Sequence, residues 1–252
     1  MIESQKVPAS HGLLWIKHGI RLIMRSPLQA VSLAMIFILG LVLVRQVPGG
    51  VMMFMLFMPV LMAGYMRVCR ALEYSEAVSP RYIIAGFEKQ TGQLVLVGGM
   101  LLLGMVVISM VTVLLGGDTL SAIMTEFQKS QDSRALVAAL TAPDSGMLPS
   151  MLVGLLLFFV LTLILQYTPM LIFFEGLDFT SAAKLSMRGS LQNIIPLTVY
   201  SMLMQLFAFL LSALPFNLGV LVLLPVGLTS MYVSYRDIFS ETQNPENAAV
   251  SE

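Results

Sequence analysis

Six stretches of the chain stay apolar for long enough to cross a bilayer: about 28–44, 49–66, 94–115, 149–174, 194–214 and 217–235. A helix rises 1.5 Å per residue, so about 20 such residues match about 30 Å of hydrocarbon. The spans must be helical, because lipid has nothing to offer an unpaired backbone N–H or C=O. Polar punctuation separates them. One helix over 28–66 would be about 58 Å long. Arg45-Gln46-Val47-Pro48-Gly49-Gly50 interrupts it with charge, proline and flexible residues. Leu214-Pro215-Phe216-Asn217 makes the corresponding turn between the fifth and sixth spans. The fourth stretch is the longest, which predicts tilt or extension past the bilayer.

Between the spans the pattern changes to alternating basic and apolar residues, and it repeats. Arg21-Leu22-Ile23-Met24-Arg25-Ser26-Pro27-Leu28-Gln29 precedes the first span, and Lys184-Leu185-Ser186-Met187-Arg188-Gly189-Ser190-Leu191-Gln192 precedes the fifth. Five of the nine positions are identical. A weaker copy, Gly86 to Gln93, precedes the third, and Pro59, Pro169 and Pro225 fall in spans two, four and six. This predicts three units, each a short amphipathic helix followed by a hairpin with a proline in its second arm. Arg21 and Arg25, like Lys184 and Arg188, are four apart and share a helical face. Such helices lie in the headgroup layer, as topological anchors or as contacts for anionic lipid headgroups. Ser26-Pro27 and Ser79-Pro80 read as a cap followed by proline in the first helical turn.

The expected fold class is therefore all-α, a polytopic transmembrane helical bundle of about six spans in three hairpins. A single membrane domain covers 1–240, with an outer loop at 116–148 and a disordered tail at 241–252. Leu120, Ile123, Met124 and Phe127, then Leu136, Val137 and Leu140, recur at helical spacing in the outer loop. They predict one or two amphipathic helices that lie on the leaflet, cap the bundle or dock a partner.

Composition agrees with this. Hydrophobic residues make up 57% of the 252, charged residues only 11%, and the mean hydropathy is +0.87. A water-facing surface needs about 25% charged residues, so lipid solvates much of this chain. The formal net charge is zero, which points away from nucleic acid. Eleven of the fourteen lysines and arginines lie in the N-terminal segment, the 67–93 and 175–193 connections and at Arg236; only Arg45, Lys129 and Arg134 lie on the other side. The positive-inside rule then puts both termini in the cytoplasm. Residues 1–27 are mixed and basic, and no small-residue cleavage site follows the run from Leu28, so that run is read as a retained span.

Ala182-Ala183-Lys184-Leu185-Ser186-Met187-Arg188-Gly189-Ser190-Leu191-Gln192-Asn193, a proline-containing hairpin, and Tyr232-Val233-Ser234-Tyr235-Arg236-Asp237 together resemble a group of bacterial six-span inner-membrane proteins of uncharacterised function. That group is similar in outline to the membrane domain fused to some glycerophosphodiester phosphodiesterases. The resemblance implies the fold and a place in a bacterial inner (plasma) membrane. It implies no catalytic residues, because the chain has no soluble catalytic domain.

Candidate chemistry is sparse. His11 and His18 are seven apart, about 10.5 Å along a helix, too far to share one metal ion. Cys69 is the single cysteine, which removes disulfides and cysteine-only metal sites. No cofactor is expected. Glu73 with Glu76, and Glu175 with Asp178, are three apart just beyond a span. They read either as caps and arginine partners or as a shared cation site. No aspartate, glutamate, lysine or arginine sits mid-span, which removes the usual mark of a proton or ion path. Gln166, Tyr167 and Thr168 beside Pro169, and Thr229 and Ser230 beyond Pro225, read as repair of the proline gaps or as the lining of a cavity or hinge. Met55, Met58, Met62 and Met66 form a helical stripe that reads as packing rather than a Cu(I) site. No two glycines are four apart, so tight glycine-driven helix pairing is not expected. These residues predict a non-enzymatic scaffold or accessory factor whose partners are membrane lipids and another membrane protein, or else a transporter or handler of a lipid or small amphipathic molecule.

Overall fold

The computed structural model describes residues 2–77, 79–130, 147–213 and 218–239. Among these every regular element is helical. In chain order they are α1 (His11–Arg25), α2 (Pro27–Val44), α3 (Gly50–Glu73), a 3-10 turn (Pro80–Ile84), α4 (Ala85–Glu88), α5 (Thr91–Ser130), α6 (Met147–Leu165), α7 (Thr168–Glu175), α8 (Phe179–Gln192), α9 (Ile194–Leu211) and α10 (Leu218–Ile238). Among the described residues five stretches are long and apolar enough to cross a membrane: Gly50–Glu73, Thr91–Gly117, Leu148–Glu175, Ile194–Leu211 and Gly219–Ile238. The chain is a multi-pass membrane protein.

Several boundaries follow the local chemistry. Ser26 ends α1 and Pro27 starts α2, where its missing N–H has no helical partner to lose. The Ser79 hydroxyl accepts from the Arg81 N–H at 3.4 Å at the start of the 3-10 turn. Residues 45–49 separate α2 from α3. The helix α3 runs two turns beyond 66, which carries Arg67, Arg70 and Glu73 past the apolar stretch. α5 bends at Gly117, where φ is 59°, a conformation costly for any residue with a β-carbon. Beyond the bend it stays helical to Ser130. Leu136, Val137, Leu140, the turn at 214–217 and the 241–252 tail lie outside the described residues.

Two compact units are present: Met1–Gly98 with Ile164–Glu252, and Gly99–Leu163. In the first, α1 packs on α10 and α9, α3 holds the 3-10 turn, α4 and α7, and α2 runs beside α10 and α3. The face of α1 formed by Gly12, Trp15, Gly19 and Leu22 is buried. A β-carbon on Gly12 would lie 2.6 Å from the Pro196 carbonyl oxygen, and one on Gly19 would lie 2.8 Å from the Ser230 nitrogen. Tight glycine-driven pairing does occur, contrary to the sequence expectation. The glycines are seven apart, two helical turns, so they face one way without the four-residue spacing that marks membrane dimers.

In the second unit α5 and α6 meet through small residues. A β-carbon on Gly154 would sit 2.6 Å from the Thr112 hydroxyl oxygen, and that hydroxyl donates back to the Ile108 carbonyl at 2.7 Å. Their outward surfaces are exposed leucine, valine, methionine and phenylalanine.

The order of a short helix and two long ones recurs at α1 to α3 and α8 to α10. The two copies break at different registers. The first bends at Ser26, which aligns with Gly189, yet the second continues to Asn193. Pro27 forces the early break, and Ser190, its counterpart, does not.

Candidate functional site

The polar side chains of the first unit gather at the end where α1, α3, α7 and α10 terminate or begin. The break in the fourth apolar stretch is at Gln166 and Tyr167, between α6 and α7. Pro169 sits in the first turn of α7, where its missing N–H costs little. The Thr168 hydroxyl donates to the freed Ile164 carbonyl at 2.6 Å. The Tyr167 N–H donates to Ser186 Oγ at 3.3 Å, and the Tyr167 and Ser234 hydroxyls lie 3.0 Å apart. Gln166 Nε2 donates to Ser190 Oγ at 2.8 Å. Tyr167 is buried against Phe239, ring to ring at 5.3 Å. The residues expected to line a cavity or hinge thus bond to α8 and α10. Pro225 is also buried, and the Thr229 hydroxyl donates to its carbonyl at 2.8 Å.

The N-terminal segment is strapped onto the opposite end of the sequence. Trp15 Nε1 donates to Asp237 Oδ2 at 2.6 Å, and His11 Nδ1 lies 2.7 Å from the same oxygen. The Val7 N–H donates to Asn193 Oδ1 at 2.8 Å, and Asn193 Nδ2 donates to the Gln5 carbonyl at 2.8 Å. The Gln5 N–H donates to the Ile238 carbonyl at 2.9 Å. In a bilayer apolar burial adds little between helices, so such bonds and close packing hold them.

The acidic pairs take protein partners, in line with the reading as caps and arginine partners. Glu73 accepts from the Tyr232 hydroxyl at 2.8 Å and pairs with Arg236. Glu76 pairs with Arg67 at 3.0 Å, and Glu175 accepts from the Tyr235 hydroxyl at 2.8 Å. Asp178 caps α8 by accepting from the Thr180 and Ser181 N–H groups at 3.1 and 3.2 Å. Hydrogen bonds from Ser181, first its hydroxyl and then its N–H, hold the Asp178 carboxyl below its ordinary value. Three residues along a helix bring carboxylates near one another; here each finds a nearer donor first.

A recess of about 180 Å³ opens among His18, Arg21, Leu22, Arg25, Glu73, Val233 and Arg236. Arg25 Nη1 donates to the Leu72 and Glu73 carbonyls at 3.1 and 2.9 Å, which satisfies the end of α3. Three arginines and one glutamate line it, an excess of two positive charges. Arg21 and Arg25, expected as headgroup contacts, are thus brought together. Lys184 and Arg188 stand exposed on α8 and do not line this recess.

Sequence reasoning missed Trp15, Asp237, His18 and Arg236 as a set. One signal was available: Gly12, Trp15, Gly19 and Leu22 recur with helical period. It marks a buried face but not its partner.

A protein of Burkholderia thailandensis described as a probable inner membrane protein is 27% identical to this chain over 259 residues, which cover 93% of each. No protein-family model matches the chain, and no solved structure matches it.

Proposed function

We propose that this chain is an inner-membrane protein that spans the bilayer six times with both ends inside, and that it works without catalysis as a scaffold or accessory factor. Pro27–Val44, an 18-residue apolar helix, is the sixth crossing. The N-terminal side of α2, the ends of α3, α7 and α10, and the basic connections all belong to the cytoplasmic face. The observation that carries the functional reading is that polar side chains at the break and at the helix ends of the first unit bond to one another. Gln166, Tyr167 and Thr168 fix the break, while Glu73, Glu175 and Asp237 hold helix ends together. A rigid, internally bonded platform suits holding a partner better than turning over a substrate. The inner-membrane description of the Burkholderia thailandensis relative supports the location. The likeness to membrane domains of glycerophosphodiester phosphodiesterases enters this proposal as fold outline only.

Purification in mild detergent after cross-linking in the membrane tests the reading. A stoichiometric membrane-protein partner is expected, and repeated recovery of the lone chain contradicts it. The second reading, handling of a lipid or amphipathic molecule, is favoured by one observation, the basic recess beside α1.

A further inference from the structure

We propose that the recess beside α1 binds the phosphate of an anionic membrane phospholipid. The inference deepens the lipid-handling reading and rests on α1 lying at the membrane surface.

Charge is the first argument. Arg21, Arg25 and Arg236 all line one small recess. Like charges this close repel, and Glu73 offsets only one of them through Arg236. Arg21 and His18 make no hydrogen bond or ion pair among the described residues. A phosphate supplies the missing negative charge, and its oxygens match the planar fork of a guanidinium better than a point cation.

Position is the second. Arg25 is the last residue of α1, two before the start of α2, Glu73 is the last residue of α3, and Arg236 is two residues from the end of α10. All three mark the level at which apolar helices leave the hydrocarbon, the depth of lipid phosphates. The free surface of α1 mixes exposed Leu13, Ile20 and Met24 with exposed Lys17, His18 and Arg21. That mixture suits the boundary between acyl chains and headgroups, where acyl tails cover the apolar side chains. A free phosphate ion would leave those apolar side chains uncovered. A lipid satisfies both halves of the surface.

The test uses the full chain in nanodiscs of phosphatidylglycerol and phosphatidylcholine, with retained lipid read by native mass spectrometry. Arg21→Gln removes an exposed charge that makes no hydrogen bond or ion pair among the described residues, so the fold is kept. The wild type is expected to retain one phosphatidylglycerol in preference to phosphatidylcholine, and Arg21→Gln to weaken retention about tenfold. The double variant Lys184→Gln with Arg188→Gln, equally basic but outside the recess, is expected to retain it as the wild type does. Equal retention by Arg21→Gln, or equal loss in the α8 variant, overturns the site and leaves only general attraction of a basic surface. Full displacement of phosphatidylglycerol by millimolar inorganic phosphate alone overturns the choice of lipid over free ion. Neither readout depends on a protein partner or on which leaflet the recess faces. A negative result here therefore leaves the scaffold reading standing, and a missing partner leaves this site standing.

Discussion

The helices α3 and α10 differ from α5 and α6 in what surrounds them. Over an 18-residue apolar window in Gly50–Glu73 and in Gly219–Ile238, 39% and 44% of residues are buried; in Thr91–Gly117 and Leu148–Glu175 the shares are 17% and 22%. The first pair is the less apolar, with hydropathies of 1.7 and 1.2 against 2.7 and 2.6. Among these four the more hydrophobic helices are the less buried, and Ile194–Leu211, of intermediate hydropathy 2.0, is only 11% buried. In water this would be inverted. In lipid it is expected, since acyl chains solvate leucine as well as protein does, while polar and small residues need protein neighbours. Leu114 and Leu155 are 70% and 64% exposed, yet Tyr167, Thr168, Ser186 and Ser190 are buried and bonded. Hydropathy identifies the solvent; buried polarity identifies the interior.

The contrast can be broken at its strongest point. Gly19→Ala puts a β-carbon against the Ser230 backbone and should cost about 3 kcal/mol, read as a fall in Tm in detergent. Gly92→Ala, where nothing lies within 4 Å, should not lower Tm. Asp237→Ala removes the shared acceptor of Trp15 and His11 and should cost about 2 kcal/mol, with the N-terminal segment becoming sensitive to protease. Leu155→Ala, on the lipid-exposed side, should change stability by less than about 0.5 kcal/mol; a loss as large as at Asp237 would show that protein rather than lipid covers α6.

The smallest effect is expected at Asp178, which is fully exposed. Its folded carboxyl titrates below the ordinary value of 3.8. Its contribution is therefore complete above that value and disappears as pH falls through the lower folded one. Acid titration of helicity should show this loss in the wild type, and Asp178→Asn, which still caps but cannot ionise, should abolish that part of the dependence.

How much of this was legible depends on sequence distance. Arg45 to Gly50 announces a turn through its own chemistry, and Ser26-Pro27 announces a helix boundary, so both were readable. Proline with Gln166, Tyr167 and Thr168 pointed to the break in the fourth stretch, but not to its bonds with Ser186, Ser190 and Ser234. Trp15 and Asp237 are 222 residues apart, and nothing local in either pairs them. Arg21 and Arg25 were visible as one helical face. Their recess was not, because Glu73 and Arg236 come from other helices. Gly12 and Gly19 misled, since seven-residue spacing aligns a face as well as four does.

Orientation is the claim on which the rest depends, and cysteine labelling of intact spheroplasts tests it most directly. Cys69, the single cysteine, is buried, so it serves as the unlabelled background for Ala77→Cys, Thr180→Cys and Gln46→Cys, all at exposed positions. A membrane-impermeant maleimide should label only Gln46→Cys until the membrane is opened, after which the other two should react. Labelling of Ala77→Cys or Thr180→Cys in intact cells would contradict the account.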